Sequence, residues 1–282
     1  MVAMWFADIG EGIAWSVAAV WALFATVVLA MRRTALGSLV PAAVRTPVLV
    51  GAGATSGLLV AQAAVVDHVA DERVPGVADR DVWLWFVDHR AAPVTFVMKG
   101  VSVVADTPGM AVLAIIVAAV LWRGRRRPEA AVVLAATLGA VLLIDGFKRL
   151  YGRVRPPTAE QLMIETNPAL PSGHALGSIV VLGVLAAVVL LATHRTLLRV
   201  AAVAVAALGV LTIGVSRLYL GVHWLTDVVT GWFLGGAWLA VCVTTLCVLS
   251  RRRSASRIAP QARSAGQVRA QQAAVGRAQP AA

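Results

Sequence analysis

Apolar stretches close to the length needed to cross a lipid bilayer recur along the whole chain. They cover residues 13–31, 48–66, 130–144, 176–193, 198–215 and 228–249, and one more ends at Trp122. An α-helix needs about 20 apolar residues for one crossing, and it satisfies its own backbone hydrogen bonds in lipid. Only 14% of the residues are charged, against about 25% in soluble domains. The sequence therefore predicts an all-α, polytopic membrane helix bundle.

Two of these stretches are short for a membrane crossing, and the first stretch could be mistaken for a signal peptide. Residues 108–122 and 130–144 are each only about 15 residues, roughly 22 Å long, so we expect both helices to extend. Thr107–Pro108 resembles a helix start, with Thr at the cap and Pro at the first helical position. Asp8 and Glu11 precede the first stretch, where a signal peptide would carry basic residues. We therefore interpret residues 13–31 as a retained transmembrane helix.

The basic residues predict the orientation of the bundle and its division into parts. With seven crossings, the arginine-rich segments 32–47, 123–129, 194–199 and the tail fall on one side, which the positive-inside rule makes cytoplasmic. We expect an extra helix and cytoplasmic loop over 1–45, a membrane domain over 46–250 and a tail over 251–282. The tail holds seven arginines and no acid, so we predict disorder near anionic headgroups. Nucleic-acid binding is not expected, because no aromatic residues interleave these arginines.

Three polar clusters interrupt the apolar chain, and all three fall on the opposite, outward side. They cover residues 148–156, 171–174 and 216–227. Ionisable groups near a bilayer are costly and by default indicate a functional site. The first two clusters share one loop and the third follows two crossings later, so they can converge in space.

The cations and small residues of these clusters suit a phosphate ester. Lys148, Arg155 and Arg217 can hold the oxygens of a transferring phosphoryl group, and arginine can do so with two hydrogen bonds. The segment 171–174 directly precedes an apolar helix, whose N-terminus is a ready anion site. Ser172 adds a hydroxyl group there, and Gly173 lets an oxyanion approach the backbone closely.

A histidine and a carboxylate complete the set. His223 and Asp227 are four residues apart at the start of the last helix, so they share one face. The carboxylate can hold one ring nitrogen as N–H, which leaves the other lone pair to attack phosphorus. No convincing set of three or four metal ligands occurs. His68, His89 and His194 are interpreted as ordinary surface residues.

Each feature also has a purely structural interpretation. His223 could cap or pack its helix with Asp227 as its ion-pair partner, and Asp145 is expected to pair with a basic residue three or four positions on. The basic side chains of the first cluster could extend to lipid headgroups: Lys148, Arg149, Arg153 and Arg155. These interpretations do not explain why two histidines, a Ser-Gly helix start and three cations share one side.

Residues 67–107 combine polar and aromatic residues between two predicted crossings. Trp83, Trp85 and Phe86 lie beside a charged stretch over 88–90, and aromatic rings favour the headgroup level of a membrane. We expect a helix lying in the interface. A membrane-edge anchor is favoured over a lid or a lipid entrance.

The spacing of the three clusters resembles that of a known family. Lys148 is followed after six residues by Arg155–Pro156, then by Pro171–Ser172–Gly173–His174, and then by Ser216–Arg217. Five residues then separate Arg217 from His223, and three residues separate His223 from Asp227. The pattern resembles the type 2 phosphatidic acid phosphatases, or lipid phosphate phosphatases, which are related to vanadium haloperoxidases and glucose-6-phosphatase.

The resemblance implies a role for each matching residue. His223 would be the nucleophile of a phosphohistidine intermediate, with Asp227 orienting it, and His174 would act as acid and then as base. The phosphate oxygens would be bound by Lys148, Arg155, Ser172, Gly173 and Arg217. Neither a metal nor a cofactor is implied. Leu170 replaces an aromatic residue common before this motif, and the helix over 13–31 is additional to the family's six core transmembrane helices.

The resulting hypothesis is a metal-independent, multi-pass membrane phosphatase acting on a lipid phosphate or pyrophosphate. An outward-facing site favours a polyprenyl diphosphate, with phosphatidic acid or phosphatidylglycerophosphate as alternatives. A non-catalytic lipid-phosphate-binding membrane protein is the alternative from another class. A transporter or channel is disfavoured because the apolar segments are nearly devoid of charge, and a soluble haloperoxidase is excluded by the mean hydropathy.

Overall fold

The computed structural model describes residues 42–71 and 76–277, and within these ranges every regular element is helical. The extra helix predicted over 13–31 lies outside the described residues. The described ranges contain eight α-helices and one 3₁₀ turn, Thr158–Glu160. The α-helices are α1 (Ala42–Asp71), α2 (Val77–Asp88), α3 (Ala92–Val104), α4 (Thr107–Arg123), α5 (Arg127–Tyr151), α6 (Gly173–Ala192), α7 (Thr196–Tyr219) and α8 (Leu225–Arg277).

The described helices confirm the predicted all-α, polytopic membrane bundle. Five are long and apolar enough to cross a membrane, namely α1, α5, α6, α7 and the part of α8 up to Arg253. A sixth crossing results if α3 and α4, bent by 55°, form one span. The bend lies at Asp106, whose side chain accepts a hydrogen bond from the backbone N–H of Thr107 over 2.7 Å. Asp106 is therefore the cap of α4, one residue before the predicted Thr107.

Helix α5 extends beyond its predicted ends, as its short apolar stretch requires. Its C-terminus is set by Gly152, which adopts the left-handed conformation with a φ of 56° and donates its N–H to the carbonyl of Lys148. Glycine is the usual residue at this position because it has no Cβ to clash. The turn starts the loop over 152–172, which leads to α6.

Small residues bring α8 against the start of α6. A Cβ added to Gly231 would lie 2.8 Å from the carbonyl oxygen of Ser172, and one added to Gly235 would lie 2.9 Å from that of Leu176. Such distances are below van der Waals contact, so only glycine permits this approach. The N-termini of α6 and α8 therefore lie side by side.

The opposite end of the bundle is held by an ion cluster. The buried Glu129 carboxylate, at the start of α5, accepts hydrogen bonds of 2.7 and 2.8 Å from Arg253 of α8 and a longer one of 3.4 Å from Arg126. Helix α8 then continues to Arg277, whereas composition predicts disorder from residue 251. Alanine, arginine and glutamine, which are frequent in this stretch, are strong helix formers.

The segment between α1 and α3 does more than anchor the membrane edge. Helix α2 buries Trp83, whose ring lies 5.9 Å from that of Trp224 and whose Nε1 donates to the carbonyl of Gly221 over 3.4 Å. Trp85 points outward and is 55% exposed. The prediction of an edge anchor fits this residue and not Trp83, which packs against the loop before α8.

Candidate active site

All three polar clusters meet at one end of the bundle. The C-terminal turn of α5, the loop over 152–172 and the N-terminus of α6 surround a cavity of about 270 Å³, which His223 also lines. Of the eight predicted site residues, Lys148, Arg155, Gly173, His174 and His223 line this cavity. Arg217, Asp227 and Ser172 lie behind it and are fully buried.

The contacts of His223 determine its tautomer. Nη1 of Arg155 lies 3.1 Å from Nε2 of the imidazole, and Oδ2 of Asp227 lies 3.3 Å from Nδ1. A guanidinium group can only donate, so Nε2 must accept with its lone pair and Nδ1 must carry the proton. The same Asp227 oxygen also accepts from the backbone N–H of Trp224 over 2.9 Å. The pair thus has the predicted base-and-orienter contact, but His223 lies in the loop before α8, which begins at Leu225, and not on the first turn of the helix as predicted.

The electrostatic surroundings keep His223 neutral. Its side chain is 1% exposed, and burial is the main cause that lowers its pKa well below 6.5. The positive charges of Arg155 and Arg217 lower this pKa further. At neutral pH Nε2 of the imidazole therefore carries no proton.

Asn167 joins two of the predicted phosphate-binding cations. Its side-chain oxygen accepts from Nζ of Lys148 and from Nη2 of Arg155, both over 2.6 Å. Its backbone carbonyl accepts from Nε of Arg155 over 2.6 Å, and that of Pro168 accepts from Lys148 over 2.5 Å. Lys148 is buried, so it does not extend to the headgroups.

The third cation, Arg217, is paired with a carboxylate from the same loop. Its Nη2 lies 2.5 Å from Oε1 of Glu165, and Nη2 of Arg155 lies 3.7 Å from the other oxygen. Burial favours the neutral form of Glu165, but Arg217 and Arg155 outweigh it and lower its pKa. Nη1 of Arg217 donates to the hydroxyl of Ser102.

The N-terminus of α6 contributes His174 and the buried hydroxyl of Ser172. Nε2 of His174 donates to the carbonyl of Ser102 over 3.1 Å and lies 3.9 Å from Oδ1 of Asp106. The backbone N–H of Ser172 donates to the carbonyl of Asp227 over 2.9 Å. Among the described residues, neither the Ser172 hydroxyl nor Nε of Arg217 has a hydrogen-bond partner.

Two other basic residues of the first cluster have different surroundings. Arg149 pairs with Asp145 over 2.8 Å at the exposed end of α5, which confirms the predicted pairing of Asp145 with a basic residue of the first cluster. Arg153 is mostly buried and pairs with Asp227 over 2.6 Å and with Asp79 over 2.8 Å. The interpretation that Arg153 extends to headgroups is therefore wrong.

Several residues at the site were not found by sequence reasoning. They come from the two segments without a membrane-length apolar run: Asp79, Ser102, Asp106, Glu165 and Asn167. The available signal was charge balance, since three cations close together require counter-charges. Within the described ranges, no three His, Cys, Asp or Glu side chains are grouped to hold a metal ion.

Residues 129–249 match the PAP2 superfamily. A 144-residue stretch is 31% identical to phosphatidylglycerophosphatase B of Bacillus subtilis, covering 49% of this chain and 68% of that protein. The fold is similar to the crystal structure described as the first transmembrane PAP2 type phosphatidylglycerolphosphate phosphatase from Bacillus subtilis. The TM-score is 0.60 at 24% identity, with 67% of this chain and 94% of that chain covered. The chain thus belongs to the PAP2 superfamily and is a PAP2-type membrane phosphatase.

Proposed function

We propose that this protein removes the phosphate of a membrane lipid without a metal ion, through a phosphoryl group carried by Nε2 of His223. The observation that carries the proposal is the tautomer of His223, because it leaves the Nε2 lone pair directed at Arg155 in the cavity. A neutral, oriented imidazole is the form that attacks phosphorus.

The proposed reaction has two steps. In the first, the Nε2 lone pair forms a bond to phosphorus as the bond from phosphorus to the lipid oxygen breaks, and protonated His174 gives its proton to that oxygen. In the second, His174 takes a proton from water, whose oxygen displaces His223 from phosphorus. Orthophosphate leaves, His223 regains its lone pair and His174 keeps the proton for the next cycle.

The proposed oxygen-binding groups are Lys148, Arg155 and Arg217, with Ser172 and Gly173 at the start of α6. The Ser172 hydroxyl and Nε of Arg217 support this assignment, since both are buried polar groups without a partner among the described residues. Such groups are costly unless a ligand satisfies them. In the transition state, donors arranged in advance stabilise the charge on the equatorial oxygens.

An apolar crevice beside the cavity supports a lipid substrate. It lies between α4, α5 and α6 and shares Thr107, Val141, Ile144 and Gly173 with the lining of the cavity. A phosphate held by the cations would thus have its lipid portion next to apolar helix surfaces. Helix α4 exposes Val112, Ile115 and Ile116 beyond the crevice, as expected for a lipid-facing helix.

Among lipid phosphates, we propose phosphatidylglycerophosphate as the first substrate to test, because the Bacillus subtilis relative is named for it. A polyprenyl diphosphate is the second candidate. The observation that favours it is the distribution of basic loops, which predicts an outward-facing site. The predicted cytoplasmic location of the α8 end follows from the same rule.

A phosphate-release assay in detergent tests the proposed function. The panel contains phosphatidylglycerophosphate, phosphatidic acid, a polyprenyl diphosphate and soluble glycerol phosphate, each with and without EDTA. We expect release from at least one lipid to exceed that from glycerol phosphate, to be unchanged by EDTA and to disappear in His223→Gln. His89→Gln, at an exposed histidine, is the matched control. Loss of activity with EDTA, or full activity of His223→Gln, would refute the proposal.

A further inference from the structure

Arg153 is a mostly buried cation that the proposed chemistry does not use. It is not among the described residues that line the cavity with His223. Its Nη1 donates to Oδ1 of Asp227 over 2.6 Å and to the hydroxyl of Thr226 over 2.7 Å. Its Nη2 donates to Oδ2 of Asp79 over 2.8 Å. One guanidinium group therefore bridges two carboxylates that are 148 residues apart in the chain.

Asp79 is held on the other side by the residue that precedes Asp227. Its Oδ1 accepts from the backbone N–H of Thr226 over 2.8 Å, and its Oδ2 accepts from the Thr226 hydroxyl over 2.6 Å. The Asp79 side chain is only 2% exposed. With both oxygens occupied, this carboxylate joins α2 to the first turn of α8.

The two oxygens of Asp227 have separate partners as a consequence. Oδ1 accepts from Arg153, whereas Oδ2 accepts from Nδ1 of His223 and from the backbone of Trp224. Rotation of the carboxylate would break a charge-assisted hydrogen bond of 2.6 Å, which is among the stronger kinds in proteins. The Oδ2 atom is thereby kept toward the imidazole.

The charge balance also requires Arg153. Asp79 and Asp227 are both buried carboxylates, and a buried charge without a partner is strongly destabilising. Burial disfavours the charged form of Arg153, but Asp227 and Asp79 outweigh this effect and raise its pKa. The guanidinium group therefore stays charged between them.

We infer that Arg153, anchored by Asp79 of α2, is a positioning residue that holds Asp227 in the orientation required to keep the proton of His223 on Nδ1. This inference rests on the proposed function, in which Nε2 of His223 is the nucleophile. It gives helix α2 a catalytic purpose, because the docking of α2 supplies the anchor. Trp83 and Arg90 assist that docking through hydrogen bonds to the carbonyls of Gly221 and Tyr219.

The test compares Arg153→Gln, Arg153→Lys and Asp79→Asn with the wild-type protein. Arg80→Gln and Asp81→Asn are matched controls, since both residues are exposed on the same helix α2. Three quantities are measured in detergent: the nitrogen-15 chemical shifts of His223, kcat with a lipid phosphate, and the inhibition constant of orthophosphate. The chemical shifts report the tautomer whether or not the protein turns over substrate.

We expect Arg153→Gln and Asp79→Asn to lose the pure Nδ1–H tautomer and to lower kcat about 10- to 100-fold, as for other residues that orient a functional side chain through a neighbour. The inhibition constant of orthophosphate should change less than about threefold, because Arg153 does not line the cavity. Arg153→Lys keeps the charge but cannot bridge both carboxylates. Arg153→Lys should therefore give an intermediate kcat. If Arg153→Gln does not fold, the comparison is made with Arg153→Lys and Asp79→Asn.

An unchanged His223 tautomer in folded Arg153→Gln and Asp79→Asn would overturn the inference. The inference would also be overturned if kcat fell and orthophosphate binding weakened by the same factor. Equal losses would indicate general damage to the site. A wild-type protein that releases no phosphate from any lipid would refute the proposed function instead. The tautomer comparison then still decides for or against the role of Arg153.

Discussion

Arg155 donates a hydrogen bond of 3.1 Å from Nη1 to Nε2 of His223. The proposed phosphate-binding cation therefore contacts the nitrogen proposed to attack phosphorus. In the proposed mechanism, phosphate oxygens would draw the guanidinium group toward themselves, and the lone pair of Nε2 would then be released from its hydrogen bond. Substrate binding and activation of the nucleophile are thereby coupled in the proposed mechanism.

The lowered pKa of His223 predicts how the imidazole responds to acid. We expect it to stay neutral down to a pH well below 6.5, because burial and the nearby Arg155 and Arg217 disfavour its protonation. Nitrogen-15 shifts of His223 between about pH 5 and about pH 8 measure this directly. Titration of His223 at or above 6.5 would contradict the prediction.

The lowered pKa of His223 also predicts how the stability of the fold changes with pH. Unfolded His223 takes up a proton below about its ordinary pKa of 6.5, whereas the folded form does not. Burial of the neutral His223 side chain therefore contributes its full stabilisation above pH 6.5. This contribution is lost as the pH falls below 6.5. The loss of thermal stability from pH 7 toward pH 5 should accordingly be smaller in His223→Gln than in the wild type.

Asn167→Asp is expected to weaken anion binding. The new carboxylate would pair with Lys148 and Arg155, whose hydrogen bonds the Asn167 side chain now accepts. We expect the inhibition constant of orthophosphate to rise about tenfold, which corresponds to about 1.4 kcal/mol. Thr166→Asp adds the same charge at the exposed neighbouring position and should have less effect. Equal effects of the two variants would contradict a specific role for Asn167.

Glu165→Gln is expected to lower stability in a pH-dependent way. Arg217 and Arg155 lower the pKa of Glu165 below its ordinary value of 4.5 despite its burial. Its stabilisation is present above that value and is lost as the pH falls through the folded pKa. The melting temperature of Glu165→Gln should be lower than that of the wild type at pH 7, and the difference should shrink in acid. Glu160→Gln, at a more exposed carboxylate, is the control; a constant difference would contradict the prediction.

Gly231→Ala is expected to disturb the site through helix packing. The added methyl group would lie 2.8 Å from the carbonyl oxygen of Ser172, so the N-terminus of α6 must move away from α8. Overpacking of this kind costs about 1–3 kcal/mol and separates His174 from His223, so both stability and kcat should fall. Gly146→Ala has nothing within 4 Å of the new atom. It should leave both quantities near wild type, and a comparable loss there would contradict the packing explanation.

The crossing helices and the three polar clusters were predictable because their signals are local. A long apolar run has one stable form in lipid, and the four-residue spacing of His223 and Asp227 indicated that their side chains meet. His223 itself lies in the loop before α8, which begins at Leu225. The bend between α3 and α4 was harder to foresee. Asp106 and Pro108 interrupt the apolar pattern there, and sequence alone did not indicate a pair of helices bent by 55°.

The counter-charges of the site could not be assigned from the sequence. Asp79 reaches Arg153 only because α2 folds back onto the loop before α8, and its own neighbours show no pattern that indicates this contact. Glu165 and Asn167 lie in a loop without periodicity, where position depends on tertiary contacts. Three cations close together require hydrogen-bond acceptors nearby, but the sequence did not indicate which residues supply them.

Direct detection of the covalent intermediate tests the proposed nucleophile most directly. The purified protein is mixed with an excess of an aryl phosphate that carries a good leaving group, quenched in alkaline denaturant to preserve phosphohistidine, and digested for mass spectrometry. The predicted result is a phosphoryl group on His223 that is absent from His223→Gln. Phosphate release by active enzyme with the phosphoryl group on another residue would contradict the assignment of His223.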